Sequence, residues 1–594
     1  MFKKAALILT VIALSATISL AQTLEDNWND FLHYTKIGRF DLAKGYAQNI
    51  LNSNPDPVKL LELSQANRPA FDYLLDIKNK SSDTELIDLA NQLIELIEQG
   101  SVIKRSDPIL IAEEIRRLSI NTRSKLAALK RLQESGEFAI PFMLDAIADP
   151  QRKDELPNII WALPKIGKPA IRPLVSALQT QDIAVKSEII KALGEIGYPQ
   201  SLPYLKYILE NDSSTEIKML ATESIQKIDP ASLNVSAAEL FYSLADNYYY
   251  HAESLAPAED IERANIWFWD EDNQTLLRRE VTKEYFHELM AMRCCEWVLK
   301  AEPDYGVSIG LWLAAFFKAE STGIEMPDYF GEGHADASVY ATTAGPEYVH
   351  LTLDRALRDK NAYIALNAVQ ALAVNAGEKS LMYRVGTTQP LIDALSFDDK
   401  AVRYSAAIAI AAAKPKQPFD ESRLVIQNLA QALSEDSQQV ESEGMWNPNM
   451  IDMYAMQAAR VIFDLAQTQN PVIDLSAGLN ALIEATNDQR NNIRLLAAET
   501  LARLNNPQAQ RAIAQMALAE DNPIDIRIAA FGSLAVSAKM NANLLDDETI
   551  DSIYRIISSK ESDPRLRSAA AQSFGALNLP SHQIKSLILD QAES

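Results

Sequence analysis

Apolar positions recur at helical spacing along most of this chain. In "PAIRPLVSALQTQD", Ile171, Leu174, Val175 and Leu178 fall at i, i+3, i+4 and i+7 and line one face of a helix. After "QTQD", a second helix carries Ile189, Ile190, Leu193 and Ile196 on one face, with Lys186 near its start. Neither helix can hide its apolar face alone, so the pattern predicts pairs that bury it against further pairs. One aromatic stretch breaks the helical period. "ANIWFWDEDNQTLLRREV" fits a short β-hairpin with "DEDN" as its turn.

The helix pairs repeat. Gly167 and Gly197, Pro169 and Pro199, and Pro173 and Pro203 all stand 30 residues apart. A fixed period in this range signals a solenoid. Gly136 and Pro141 occupy the same roles one unit earlier. Glycine closes a helix by taking a left-handed conformation, and proline opens the next, where its missing N–H is harmless. The second half repeats the idea with more alanine, in "DDKAVRYSAAIAIAAA", "NNIRLLAAETLARLNNP", "PIDIRIAAFGSLAVSA" and "DPRLRSAAAQSFGALNLP". Each holds a basic residue early in its helix, Arg403, Arg494, Arg527 or Arg567, and an alanine three positions on, Ala406, Ala497, Ala530 or Ala570.

These units resemble HEAT repeats, above all the short PBS-lyase type whose second helix ends in "ALGEIG", here Ala192 to Gly197. The match is specific around 136–228 and looser across 346–594. The resemblance implies a right-handed stack of helix pairs with a concave protein-binding face. It also implies that Lys186 and the four arginines form an internal ladder with acidic residues of the inter-helix loops. Two other stretches resemble single tetratricopeptide helices: Gly38, Phe40, Ala43, Ala47, Ile50 and Pro55, then Ala291, Cys295, Val298 and Pro303. An aromatic hairpin and "MAMRCC" set between HEAT blocks is similar to exported HEAT-repeat proteins of planctomycete-like bacteria, a resemblance that brings no activity.

The expected architecture is an all-α solenoid of HEAT-like helix pairs in two blocks, with a mostly helical insert. Residues 1–21 read as a leader and 22–100 as a helical, tetratricopeptide-like region. Residues 101–231 form the first block, 232–345 the insert and 346–594 the second block. With 594 residues, the chain is too long for one compact core.

Charge narrows the partners. The formal net charge of −24 opposes phosphate backbones and anionic lipid, and no local basic patch is expected to relieve it. Nucleic acid is therefore excluded as a partner. Lys3, Lys4, an apolar run to about Ile18, and small residues at Ser19 and Ala21 read as a secretory signal peptide cut after Ala21. A short membrane anchor is the structural alternative. The expectation is an exported protein, periplasmic or extracellular, with no membrane insertion after cleavage. Cys294 and Cys295 are adjacent, which strains a bridge, so packed or reduced thiols are expected.

Catalytic motifs do not hold together. "GVSIG", Gly306 to Gly310, fits a serine nucleophile elbow, but an amphipathic helix precedes it where a strand is required. Ser308 reads instead as the start or cap of a helix. "FHELMA" lacks the second histidine of a zinc-protease helix, because Ala291 stands there. "GEGHAD", with Glu332, His334 and Asp336, reads as a solvated loop rather than a cation site. No cofactor, metal or catalytic residue is expected.

Aromatic residues give the candidate interaction surface. Tyr248, Tyr249, Tyr250, Trp267 and Trp269 form either an anchor for a protein or glycan, or the filling of a junction between repeat blocks. Trp446, in the acidic segment 434–457, is a second candidate, because insertions into solenoids often meet the partner. The expected function is a non-catalytic, exported scaffold for protein–protein interaction, with self-association left open. The alternative is an enzyme or enzyme accessory with a pocket between the 232–345 insert and the solenoid.

Overall fold

The computed structural model describes residues 23–67, 69–257, 263–330, 334–439, 446–580, 585 and 589. The expected signal peptide lies outside these residues. The described chain is all-α except for one two-stranded antiparallel sheet. It divides into two compact units, Met1–Met290 and Ala291–Ser594, and the Phe286–Ala301 helix runs across the division.

The first unit begins with a helical cluster. Trp28, Phe31, Ile50, Leu60, Leu74, Leu86 and Leu93 bury together, drawn from five helices between Leu24 and Ser106. Gly100 permits a close crossing there, since a Cβ on it would stand 2.1 Å from Pro57 O. The repeat then takes over. The Ile183–Ile196 helix packs on Thr215–Ile228, and Leu202–Asn211 packs on both Thr215–Ile228 and Ala237–Tyr249. Equivalent helices approach closely: a Cβ on Gly194 would lie 2.6 Å from Ser224 Oγ, which donates to Ile190 O at 3.0 Å.

The sequence punctuation has a physical origin. Asp182 caps its helix by accepting from Ala184 N at 2.8 Å and Val185 N at 3.1 Å. Gly197 closes it in the left-handed region, with φ 76° and ψ 18°. Gly167 adopts φ 79° and ψ −150°, a region that effectively excludes other residues. Pro169 and Pro199 open short 3-10 turns just ahead of their helices, rather than the helices themselves.

The hairpin belongs to the first unit. Strand β1 (Arg263–Asp270) pairs with β2 (Thr275–Thr282), with Asp270 opposite Thr275 and Trp267 opposite Arg278. Asp270 Oδ1 holds the turn by accepting from Asp272 N and Asn273 N, both at 3.0 Å. The sheet lies on the Ile171–Ala177 helix of the repeat.

In the second unit the alanine-rich helices stack in series. Lys400–Ala412, Pro448–Gln467, Asn491–Leu501, Ile524–Asn541 and Pro564–Ala576 each pack on the next. Ala406, Ala497, Ala530 and Ala570 are all buried in that stack, where larger side chains would force the helices apart. Among the described residues no helix is long and apolar enough to cross a membrane.

Candidate interaction surface

Most of the aromatic candidates are committed to the interior. Tyr248 and Tyr249 are buried on the inner face of the Ala237–Tyr249 helix. The Tyr248 hydroxyl accepts from Gln200 Nε2 at 2.7 Å, and its ring meets Phe286 edge-on at 6.4 Å. Tyr250, just past the helix end, stays 50% exposed with Tyr249 against its ring. Trp267 is buried, its indole donating to Glu137 Oε2 at 2.8 Å, while Asn265 Nδ2 donates to Glu137 Oε1 at 2.7 Å. Ser176 Oγ donates to Trp267 O at 2.9 Å. Trp269 is half-buried beside it. The surface-anchor expectation therefore needs correction for Tyr248, Tyr249 and Trp267. Tyr248 and Trp267 have their polar ends satisfied from a distant element, and Tyr249 is 2% exposed, so Trp267 joins the hairpin to the repeat and none of the three offers a surface to a partner.

Trp446 is half-buried rather than exposed. It stacks on Tyr454 with centroids 5.7 Å apart, and Lys400 Nζ lies 5.7 Å above its ring. Lys400 also reaches Glu435 Oε1 at 2.7 Å, as does the buried Tyr404 hydroxyl. Residues 440–445 of the same acidic segment lie outside the described residues.

The ladder residues reach two kinds of partner. Lys186 Nζ lies 3.1 Å from Asp212 Oδ2. Burial raises the Asp212 carboxyl, but the Ser214 N–H and the Lys186 ammonium together outweigh it and hold the group below its ordinary value. The four arginines differ from the expected carboxylate pairing. Arg403 Nη1 donates to Phe397 O at 2.7 Å and Asp398 O at 2.9 Å. Arg494 donates to Thr486 O and Asn522 Oδ1. Arg527 Nε donates to Ala517 O at 3.0 Å, and Arg567 Nε to Ile557 O at 3.3 Å. Their acceptors are mostly carbonyls at the end of the preceding helix, which lack partners inside that helix and carry partial negative charge.

The catalytic motifs resolve into packing. Ser308 is buried and donates to Tyr305 O at 2.8 Å within a helical start. Gly306 and Gly310 let the Val307–Glu320 helix approach Pro346–Arg358: a Cβ on Gly310 would stand 2.6 Å from Leu351 Cβ. His287 is buried and its ring stacks on His251 at 4.7 Å, while His251 Nε2 sits 2.5 Å from the buried Glu288 Oε1. Cys294 and Cys295 are both buried. Glu332 of "GEGHAD" lies outside the described residues, and no cluster of three metal-ligating side chains occurs among those described.

One surface escaped the sequence reading. Ile103, Ile109, Leu110, Ile120 and Leu126 are all exposed, close together in the chain. The expectation of no basic patch is also corrected here. Residues 101–135 hold eight lysines and arginines against four acidic residues. A groove of about 830 Å³ opens in this stretch, lined by Leu61, Lys104, Arg105, Leu110, Glu114 and Arg131 among others. Counting charge by segment rather than over the whole chain exposes the signal.

Comparison with known proteins bears on the repeat. The family model for HEAT repeats matches residues 140–226. No curated protein matches the chain. Solved structures that are similar include importin beta crystallised in a polyethylene glycol condition, at 14% identity and TM-score 0.27, over 90% of this chain and 69% of that one. Yeast importin-beta (Kap95p) aligns at 14% identity and TM-score 0.25, over 90% and 66%. Kap121p bound to Pho4p aligns at 12% identity and TM-score 0.24, over 88% and 56%. The chain thus spans between 56% and 69% of the length of these structures, and likeness this slight carries no function to it. Residues 140–226 are a run of HEAT repeats, set within the first of two units built from stacked helices.

Proposed function

We propose that this chain is an exported scaffold that holds another protein and performs no chemistry of its own. The observation that carries this reading is the group of exposed Ile103, Ile109, Leu110, Ile120 and Leu126, directly ahead of the HEAT segment. Leu110 of this run lines a groove, and an exposed large apolar side chain in a concave surface is a feature of contact sites. The polar network supports the same reading, since the ladder arginines brace helix ends. Export rests on the leader pattern of Lys3, Lys4, the apolar run and Ala21. The test is capture. The chain from residue 22, tagged and cross-linked in its native envelope fraction, is expected to recover one protein repeatedly. Recovery of nothing above background would count against the scaffold.

A second reading has one specific observation behind it. A cavity of about 200 Å³ lies between the Thr84–Ser106 helix and the hairpin, lined by Glu95, Arg263, Asn265 and Glu280 among others. A ligand pocket there would make the protein an enzyme accessory. A small molecule retained in native mass spectrometry, and lost on Asn265→Leu, would favour it.

A further inference from the structure

The groove in the first unit has a chemistry that restricts what fills it. It is bounded by the helices Pro57–Ala66, Thr84–Ser106, Pro108–Arg117 and Thr122–Ser135. Leu61 and Ile111 are buried at its base. Leu110 stands in its wall at 47% exposure, and Ile109 beside it is 78% exposed. Lys104, Arg105 and Arg131 line the same space. Glu114 is 7% exposed there, and its Oε1 takes both Arg117 Nη1, at 3.1 Å, and Arg131 Nη1. One carboxylate oxygen thus serves two guanidinium groups, and Arg131 keeps 57% of its side chain in solvent. Lys104 makes a long ion pair, 3.7 Å to Glu62. The lining sets Lys104, Arg105 and Arg131 against Glu114 and Glu134 above an apolar base, a surplus of one positive charge in a chain whose net charge is −24.

We propose that this groove binds an acidic amphipathic segment of a partner protein. Apolar side chains of that segment pack on Leu61 and Leu110, and its carboxylates face Lys104, Arg105 and Arg131. The inference rests on the scaffold reading and adds the partner's chemistry to it. Concavity favours a peptide over a bilayer, because a flat lipid surface cannot reach the base. The apolar base, with Glu114 and Glu134 in the lining, disfavours a phosphate backbone. Charge complementarity of this kind sets specificity and association rate more than raw affinity, so binding should weaken as salt rises.

The test uses the full chain and two labelled synthetic peptides, one amphipathic in leucine and glutamate, the other in leucine and lysine. Fluorescence anisotropy is expected to show binding of the glutamate peptide only. Lys104→Glu and Arg131→Gln, separately and together, should weaken it about tenfold or more, near 1.4 kcal/mol or above by the tenfold rule. Leu110→Asp, at an exposed position, supplies a second variant that leaves the helix intact by circular dichroism. Equal affinity for both peptides, or unchanged affinity in the variants, would overturn the proposal. So would binding to phosphatidylserine vesicles in place of the peptide, or a sedimentation dimer that Leu110→Asp dissolves. If cross-linking captures the same partner with wild type and with the Lys104→Glu, Arg131→Gln double variant, the groove assignment fails and the scaffold stands. If neither captures a partner, the scaffold reading itself fails.

Discussion

Trp267 on β1 donates its indole hydrogen to Glu137, 130 positions earlier in the chain, at 2.8 Å. The same carboxylate accepts from Asn265 at 2.7 Å, so one side chain at the start of the repeat fixes two residues of the hairpin. Leaving buried donors without an acceptor is expensive. Glu137→Ala should therefore destabilise the first unit by about 2 kcal/mol, and Trp267→Phe, which keeps a ring, by about 1 kcal/mol. Urea melts followed by circular dichroism would measure both. Strictly additive losses in the double variant would contradict the shared bond.

Gly310 meets Leu351, and Gly306 meets the Tyr348 ring, at distances that leave no room for a Cβ. Gly310→Ala should cost about 1–3 kcal/mol through overpacking, read as a lower denaturation midpoint of the second unit. Ser308→Ala should change stability by less than about 1.5 kcal/mol, since it loses one hydrogen bond to Tyr305 O. A Gly310→Ala variant as stable as wild type would refute the packing role of this motif.

Arg527 donates to Ala517 O and Leu518 O at the end of the preceding helix. Removing it strips those carbonyls of a charged donor. Arg527→Leu should destabilise the second unit by about 1–3 kcal/mol, and Arg527→Lys by less, because an ammonium keeps a charged donor for one acceptor though it cannot span both as a planar fork does. If the lysine variant loses as much as the leucine one, the bonds to the helix end contribute little.

His350 supplies a pH dependence. It is fully buried, and its Nε2 donates to Ser380 O at 2.8 Å. Burial lowers the imidazole below its ordinary 6.5, more than the Ser380 carbonyl raises it. The unfolded chain takes a proton there more readily than the folded one. His350 therefore contributes stability above pH 6.5, and that share is lost as pH falls below 6.5 toward the folded value. Relative to wild type, His350→Gln should flatten the stability profile below pH 6.5. Parallel profiles for the two proteins would rule this out.

Much of the scaffold could be read from the chain alone. The 30-residue spacing of Gly167 and Gly197 located the repeat, and a glycine in a left-handed cap is a local requirement that sequence displays directly. The hairpin was legible from its break in helical period. What stayed hidden depends on distant partners. Nothing near Tyr248 or Trp267 announces Gln200 or Glu137, so their burial could not be read locally. The positions of Arg494 and Arg527 were legible, but their acceptors were not, because a helix-end carbonyl has no side-chain signature. The basic groove was masked by the acidity of the whole chain.

The central claim is that the chain works by holding another protein. Amide hydrogen exchange tests it most directly, read on the full chain alone and then mixed with the protein it captures. Slowed exchange around Lys104, Leu110 and Arg131, with the buried stack unchanged, is the predicted result. Exchange unaltered throughout the chain on mixing would contradict the account.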